Sequence, residues 1–458
     1  MQLHNTLTRS MQQFEPLAPG KVGLYTCGPT VYDYQHIGNY ATYIRWDTLV
    51  RTLRESGYDV NWVMNITDVG HLTSDADDGE DKLEKGAKRE GKTAWEVAAF
   101  YTKDFLESLT ALNVLQPTHL PKATDHIAQQ ITLIQELETK GHTYTIDDGV
   151  YYDTTTFADY GKLAQLDLDA LKAGARVELN PQKRNPTDFA LWKFTPTGEK
   201  RDMEWDSPWG KGFPGWHIEC SAMSMQYLGE TLDIHTGGID HLPVHHVNEI
   251  AQSEGATGKQ FSRFWLHSNH IMVDGNKISK SLQNGITLAD LAAKGFSPLD
   301  VRLLFLQSHY RTSANFSLEG LEAAKQRRIS LQAFADLRLQ STPATSDYVA
   351  EKKAILQKLQ DDLNTPEALA SLSSAEHAGE KELTAPAQEF VAFLDRAFGL
   401  KLSESVDITD EQKELIAKRS DARERKDFAA ADAVRDTLLA SNIALRDTEY
   451  GTFWSRTN

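Results

Sequence analysis

A chain of 458 residues is long enough for about three domains, and its 40% hydrophobic and 25% charged residues are typical of a globular protein rather than a disordered one. Its net charge of −17 argues against the wrapping of long DNA, although a locally basic face could still meet a nucleic acid. No apolar run approaches the roughly 20 residues that cross a bilayer, and residues 1–6 lack the basic and apolar stretches of an export signal, so a cytoplasmic protein that binds neither membrane nor DNA is expected.

The beginning of the chain has the pattern of a strand, a helix and a second strand. Residues 22–26 alternate in hydrophobicity and end at a turn signal around Gly28. Apolar residues recur at helical spacing over 43–53 and stop at Gly57, and residues 59–65 again form a strand pattern. Because no hairpin turn separates the two strands, a parallel βαβ unit is predicted.

The middle of the chain changes character several times. The predicted segments are a solvated loop over 74–92, a helix to about residue 113 opened by the capping box of Thr93 and Glu96, a helix over 125–140, an inserted segment of short strands over 142–215, and renewed strand–helix order over 216–265.

From about Leu303 onward the pattern is almost wholly helical. The expected features are a loop or weakly packed helix over 372–388, a polar linker over 400–412, one helix over about 411–440 and a strand-like tail over 443–454.

A short motif between the first strand and the first helix suits a phosphate. Gly38 would let a phosphate or an adenine ring approach the backbone closely, next to the positive end of a helix. His36 and Asn39 can both donate hydrogen bonds to a phosphoryl group. The alternative is a helix-capping turn with a surface histidine.

A second motif, residues 277–281, carries two lysines among serines after a turn. The lysines Lys277 and Lys280 suit a polyphosphate, and a solvated basic loop is the alternative. Taken together and in this order, the two motifs resemble the two signatures of class I aminoacyl-tRNA synthetases, with Asn39 for the last histidine and Ile278 for the usual methionine. The resemblance implies attack of an amino-acid carboxylate on the α-phosphate of ATP.

The chain has only two cysteines, Cys27 and Cys220. Downstream lie His245 and Glu249, which share one face if they lie on a helix because they are four residues apart. Two thiolates, an imidazole and a carboxylate make a possible four-ligand zinc site. Two buried structural cysteines, a disulfide, and a core histidine at His245 are the alternatives at this point.

Further stretches make the chain similar to the bacterial-type cysteinyl-tRNA synthetase family over nearly its whole length. The matching stretches are 25–33, 65–71, 215–220, 233–235, 237–240, the loop at 277–281, 361–368 and 451–454. In that family the four zinc ligands fall on Cys27, Cys220, His245 and Glu249. Two departures are visible: Val247 stands where an acidic residue is common, and Asn39 stands where histidine is usual. His71 lies in a matching stretch without a role that can be derived.

The resemblance implies a site for cysteine and ATP. Zinc held partly by thiolates would take the sulfur of cysteine in preference to the hydroxyl of serine, which a pocket cannot reject by size alone. The implied catalytic residues are His36, Asn39, Lys277 and Lys280; the implied ATP-binding residues are His36, Gly38, Asn39, Gly237, Gly238, Asp240 and Lys280; and the implied cysteine-binding residues are Thr30, Trp216, His235 and Asp240. One Zn²⁺ per chain is expected, with Mg²⁺ accompanying ATP.

The C-terminal end carries residue types that suit an unpaired RNA loop. Arg423 can clamp phosphate, Phe428 can stack a base, and the carboxylates Asp432 and Asp447 can accept from a guanine edge. An ordinary amphipathic helix with a solvated charged face is the alternative. The family usually has tryptophan at the position of Phe428.

The implied fold is α/β, with a Rossmann-type doubly wound parallel sheet as catalytic domain and an inserted connective segment, followed by an α-helical bundle and a small mixed C-terminal domain. The expected boundaries are 1–115 and 216–270 for the two halves of the catalytic domain, 116–215 for the insertion, 271–312 for the lysine-motif loop and stem-contact region, 313–399 for the tRNA-binding bundle and 400–458 for the anticodon-binding region.

The implied activity is that of a cysteine–tRNA ligase, whose substrates are L-cysteine, ATP and tRNA(Cys). A monomer is expected. One rival is a cysteine ligase of mycothiol biosynthesis, which shares the catalytic half but lacks the anticodon-reading end. The other rival is a non-catalytic RNA-binding paralogue, which typically loses metal ligands or signature residues. The intact signatures, the ligand set and the long C-terminal part favour the ligase.

Overall fold

The computed structural model describes residues 1–71, 81–166, 180–196, 198, 200–278 and 284–457. In chain order its first part contains β1 (Gln2–Asn5), β2 (Ser10–Gln13), β3 (Lys21–Thr26), α1 (Ile37–Glu55), β4 (Asp59–Met64), α2 (Lys82–Glu90), α3 (Ala94–Ala111), α4 (Ile127–Thr139), β5 (Thr143–Ile146), β6 (Gly149–Tyr152), β7 (Phe189–Phe194), β8 (Gly212–Pro214), α5 (Trp216–Leu228), β9 (Leu232–Gly238), α6 (Val247–Thr257) and β10 (Ser262–Ser268).

A parallel sheet with the strand order β10-β9-β3-β4 forms the centre of this part. Single parallel bridges, Val63 to His119 and Ile66 to Lys122, extend it beyond β4. The chain leaves β3 toward one edge of the sheet and returns through β9 on the other side, so the strand order reverses between these two strands. Ligands of such sheets bind at the carboxyl ends of the strands at this switch point. The predicted parallel βαβ unit and the α/β fold are confirmed.

The sequence patterns locate most elements of this part, with one correction. The helix that opens at the capping box of Thr93 and Glu96 is present, and so are the helix predicted over 125–140 and the short strands of the insertion, which form the antiparallel sheet β5-β6-β7-β8. The expected loop over 74–92 is wrong in its second half, where α2 forms; residues 72–80 lie outside the described residues. Asp81 caps α2, and Leu83 is buried, which offsets the polarity of the segment.

The second part is largely helical. It contains β11 (Ile271–Val273), β12 (Asn276–Lys277), α7 (Leu288–Ala292), α8 (Pro298–Leu306), β13 (Ala314–Phe316), α9 (Leu318–Asp336), β14 (Ala344–Ser346), α10 (Val349–Gln360), α11 (Thr365–Glu382), β15 (Thr384–Pro386), α12 (Gln388–Phe398), α13 (Asp410–Glu424), α14 (Phe428–Ala440), β16 (Ile443–Thr448) and β17 (Gly451–Arg456). In the described part of the chain, no helix has both the length and the apolarity of a membrane span.

Two predictions about this part need correction. Over 372–388 the chain continues α11 to Glu382, and Leu372 and Ala375 are buried in the core, so most of the segment is a packed helix. The single helix expected over 411–440 is two helices. Lys426 adopts a left-handed backbone with φ of 62°, and Asp427 caps the second helix through Ala430 N–H.

A buried ionic group fixes α1 to the helical part. Asp47 on α1 pairs with Arg302 on α8 and with Arg51, one turn further along α1. Burial alone would raise the pKa of Asp47, but the two guanidinium groups lower it below its ordinary value. Arg302 also donates to the carbonyl of Phe398 at the end of α12, at 2.6 Å. The helix that begins at the first signature is therefore fixed to the helical part through side chains in its middle and second half.

Gly28 lies where β3 and β4 end side by side, and we expect it to tolerate no side chain. Its N–H donates to Asn65 Oδ1 at 2.7 Å, and an added Cβ would overlap the Asn65 backbone carbonyl. Gly28→Ala should therefore lower the free energy of unfolding by about 1–3 kcal/mol or more. Gly23→Ala is the matched control, since its Cβ would lie 3.5 Å from Leu228, an ordinary contact. Equal urea midpoints for the two variants would contradict the expectation.

Candidate active site

A cavity of about 690 Å³ opens at the switch point of the sheet, beyond the carboxyl ends of β3 and β9. The residues expected from the sequence that line it are Cys27, Thr30, His36, Asn39, Trp216, Cys220, Gly238, Asp240 and His245. Three further wall residues, Asn65, Thr67 and His241, were not singled out as site residues. Asn65 and Thr67 follow β4 directly. Polar residues just after a buried parallel strand lie at the carboxyl end of the sheet, and this pattern in the sequence could have predicted that they line the site.

Four side chains from three elements meet at the base of this cavity. Cys27 follows β3, and Cys220 lies in the first half of α5. His245 lies in the π-helical turn Leu242–His246 that leads directly into α6, and Glu249 lies in the first turn of α6. Their ligand atoms all lie within 4.8 Å of one another, and all four residues are buried. Ligand atoms around one tetrahedral zinc lie about 3–4 Å apart, so the donor set and its spacing fit such an ion.

The hydrogen bonds around the cluster orient its members. His245 Nε2 lies 3.0 Å from Glu249 Oε1, and the other ring nitrogen of His245 lies 2.9 Å from His217 Nδ1. A partner on Nδ1 leaves Nε2 as the nitrogen that faces the cluster. Cys27 Sγ lies 3.9 Å from the same Glu249 oxygen. Both cysteines are free thiols, so the alternative of a disulfide between them is wrong.

The electrostatics of the cluster favour positive charge at its centre. Burial raises the pKa of the Cys27 thiol, whereas the hydrogen bond from Cys27 lowers the pKa of Cys220 to about 7. Burial would lower the pKa of His245, but the charges of Glu249 and Cys220 outweigh it and raise that pKa to about 10. A group of buried donors that stabilises a proton in this way also suits a cation, which binds as the protons leave.

A second possible donor group overlaps the first. It shares Cys27 and Glu249 and adds His235 and His246, which are also buried. Neither of these two histidines is among the described residues that line the cavity, in contrast to Cys220 and His245. The predicted ligand set is therefore the one that faces the space where a substrate would lie.

His235, one of the expected cysteine-binding residues, lies behind the donor cluster. It is fully buried behind the cluster, its Nε2 is 2.8 Å from Glu249 Oε2, and its ring stacks on Trp265 at 4.4 Å. His235 is therefore not among the described residues that line the cavity, and its side chain contacts Glu249. Gly237 is likewise not among the described residues that line the cavity, in contrast to Gly238.

The two signature motifs meet at the start of α1. His36 is the N-cap residue, and its backbone N–H donates to Asn39 Oδ1 at 3.1 Å. The oxygen of Asn39 is thereby used, so its amide nitrogen is the end that can donate into the cavity, as a histidine would. Ile278 of the second motif packs here, since an added Cβ on Gly38 would lie 3.0 Å from it.

The lysines of the second motif are less fully described. Lys277 ends β12 and is exposed, and Lys280 lies in 279–283, outside the described residues. Burial lowers the pKa of His36, which favours its neutral form. The departure at Val247 has a packing reason, because this residue is buried in an apolar cluster with Leu163 and Trp265.

The C-terminal candidates are arranged around the break between α13 and α14. Phe428 begins α14 and is 62% exposed, as a stacking residue must be. Asp432 lies one turn along and pairs with Arg435 at 3.0 Å. Asp447, which is expected to accept from a guanine edge, already has side-chain partners within the chain. Both its oxygens accept from Arg419 at 2.7 Å, and Arg423 also bonds to it, so this carboxylate serves first to join β16 to α13.

Comparisons with known proteins agree with this arrangement. Residues 13–326 match the family model of the class I (C) tRNA synthetase catalytic domain, and residues 405–454 match that of the cysteinyl-tRNA ligase anticodon binding domain. Among solved structures, the methionyl-tRNA synthetase of Mycobacterium tuberculosis in complex with methionyl-adenylate has a TM-score of 0.57 at 14% identity, covering 84% of this chain and 89% of that one. At this identity the likeness shows a shared fold.

Curated relatives match over the full length of the chain. The cysteine–tRNA ligase of Treponema denticola is 45% identical and aligns with 100% of this chain and 99% of its own length. Cysteine–tRNA ligase 1 of Burkholderia lata is 46% identical over 98% of this chain and 95% of its own length. The matches cover both the catalytic part and the C-terminal part of the chain, and the donor cluster lies beside the first signature motif in one cavity. The chain therefore belongs to the cysteine–tRNA ligase family of class I tRNA synthetases.

Proposed function

We propose that this protein activates L-cysteine with ATP to cysteinyl-adenylate and transfers the cysteinyl group to the 3′ end of tRNA(Cys). The observation that carries the proposal is the single cavity in which a sulfur-rich donor cluster lies beside the first signature motif. The C-terminal match supports tRNA as the acceptor. It also argues against a mycothiol-type cysteine ligase, which lacks that end, and the complete donor set argues against a non-catalytic paralogue.

In this proposal the start of α1 binds the phosphates of ATP. His36 and the amide of Asn39 donate to the α-phosphate as negative charge builds up in the transition state, and the positive end of the helix assists them. Gly38, Gly238 and Asp240 form the remaining nucleotide contacts. Lys277 and Lys280 follow the departing pyrophosphate, and Mg²⁺ accompanies the nucleotide.

Cys27, Cys220, His245 and Glu249 would hold one zinc ion. The bound ion would supply a soft Lewis acid that prefers the thiolate of cysteine to the hydroxyl of serine. Trp216, whose ring centroid lies 4.5 Å from that of His245, forms the wall beside the substrate side chain, and Thr30 lines the same cavity. Asp240, which also lines the cavity, would receive the amino group. We also propose the domain boundaries given above, a monomeric state and a cytoplasmic location.

Two assays with the purified full chain test the function. Cysteine-dependent exchange between pyrophosphate and ATP should be observed, with serine at least about a hundredfold poorer, because the buried donor cluster selects sulfur. Charging of tRNA(Cys) should follow. Exchange without charging would favour the mycothiol-type ligase, and neither exchange nor charging would favour the paralogue.

A further inference from the structure

A continuous line of buried polar side chains begins in the cavity wall, at Asn65 and Thr67, and continues behind it to Glu219 and His71. His71 Nε2 is 2.8 Å from Glu219 Oε1, and Thr67 Oγ1 donates to the other oxygen of Glu219 at 3.1 Å. Asn65 Nδ2 donates to Thr67 Oγ1 at 2.9 Å, and Asn65 Oδ1 accepts from the N–H of Gly28 at 2.7 Å. The four side chains are each at most 4% exposed. Buried polar groups that are satisfied in this way rigidify the structure around them.

The two ends of this line adjoin the two cysteines. Gly28 follows Cys27 in the chain, and Glu219 precedes Cys220 in the first turn of α5. Asn65 and Thr67 lie between them, just after β4. The line therefore connects two elements that are far apart in sequence and that each contribute one thiol to the cluster.

Backbone contacts reinforce the same junction. The N–H of Thr67 donates to the carbonyl of Pro29 at 3.0 Å, and the N–H of Val31 donates to the carbonyl of Thr67 at 3.1 Å. The segment after Cys27 is thus tied to the segment after β4 on both sides of Thr67. The bond from Thr67 to Glu219 is the step that joins this paired segment to α5.

We infer that His71, Glu219, Thr67 and Asn65 form a positioning network that fixes the two thiols of the metal cluster relative to each other. The inference rests on the proposed metal site and assigns a role to His71. Groups that orient metal ligands commonly contribute about 10–100-fold to metal affinity. The network acts through the ligands' neighbours, and in this role none of its members binds the metal.

The test measures zinc binding directly, with a chromophoric chelator as competitor and the full chain as the protein. Thr67→Val removes the hydroxyl at nearly constant shape and should raise the Kd for zinc about tenfold or more. Thr67→Ser keeps the hydroxyl and should restore binding to within about threefold of the wild type. Thr52→Val is the matched control, because Thr52 is equally buried but lies on α1 outside the network, and its Kd should be unchanged.

A second variant tests the network at a different residue, so that the test does not depend on the folding of the Thr67→Val protein. His71→Leu leaves Glu219 without this partner, at the end of the line furthest from Cys27, and should raise the zinc Kd in the same direction. Binding of Co²⁺ gives an independent readout, since its thiolate absorption band should appear at higher metal concentration in both variants. Zinc and cobalt Kd values equal to the wild type in both variants would overturn the network. Failure of the wild type to bind zinc would overturn the proposed metal site and the network together.

Discussion

Cys220→Ser is expected to remove most of the metal and to lower kcat/KM for cysteine in the exchange reaction by more than a hundredfold. The substitution replaces a buried thiolate donor by a hydroxyl that stays protonated and is a weaker, harder ligand. Loss of a direct ligand should cost more than the about 10–100-fold that a change around the ligands costs. The loss should be specific to cysteine, and the KM for ATP should change little. Metal analysis and exchange kinetics measure both effects.

Ser224→Ala is the control for this substitution. Ser224 lies one turn further along the same helix and is fully buried, but it is outside the donor cluster. Its metal content and its KM for cysteine should match the wild type. A Cys220→Ser protein that kept a normal KM for cysteine would refute the assignment of this residue as a ligand.

Deletion of residues 406–458 is expected to separate the two half-reactions. Cysteine-dependent exchange should remain within a few-fold of the wild type, because the cavity, the cluster and the signatures all lie between residues 27 and 287. Charging of tRNA(Cys) should fall by about a hundredfold, the effect of losing a base stack of roughly 3 kcal/mol. Charging as efficient as that of the full chain, at matched salt, would exclude an anticodon-reading role.

The structure determines where this cut should be made. The linker expected over 400–412 begins with residues that are packed in the bundle, since Leu400 and Leu402 are buried and Ser403 bonds to Asp395 at the end of α12. A cut at residue 400 would expose this core, whereas a cut after Ser405 keeps it.

Phe428→Ala narrows the same prediction to one side chain. The variant should raise the KM for tRNA about tenfold without affecting exchange, because an exposed aromatic ring at this position can stack an unpaired base. Leu439→Ala, on the same helix and similarly exposed, should leave the KM for tRNA unchanged.

The sequence alone determined the local elements and the chemistry of the site. The parallel βαβ unit, the capping box at Thr93 and the two signature motifs are each encoded within a few dozen neighbouring residues. The presence of just two cysteines, with His245 and Glu249 one helical turn apart, predicted a four-member donor set that the fold brings together. Patterns of this kind depend on spacing and residue type, which a chain displays before it folds.

Which buried polar groups become partners depends on the packing of elements that are distant in sequence. His71 finds Glu219 across 148 residues of sequence, and Cys27 finds Glu249 across 222. Asp447 is engaged by Arg419, and His235 faces Glu249 rather than the cavity. A buried polar side chain must be satisfied by whatever donor or acceptor the fold places beside it, and packing of distant elements, not local pattern, determines that neighbour. The same dependence on packing explains why α2 forms in a segment whose charge predicted a loop: the burial of Leu83 becomes visible only in the folded chain.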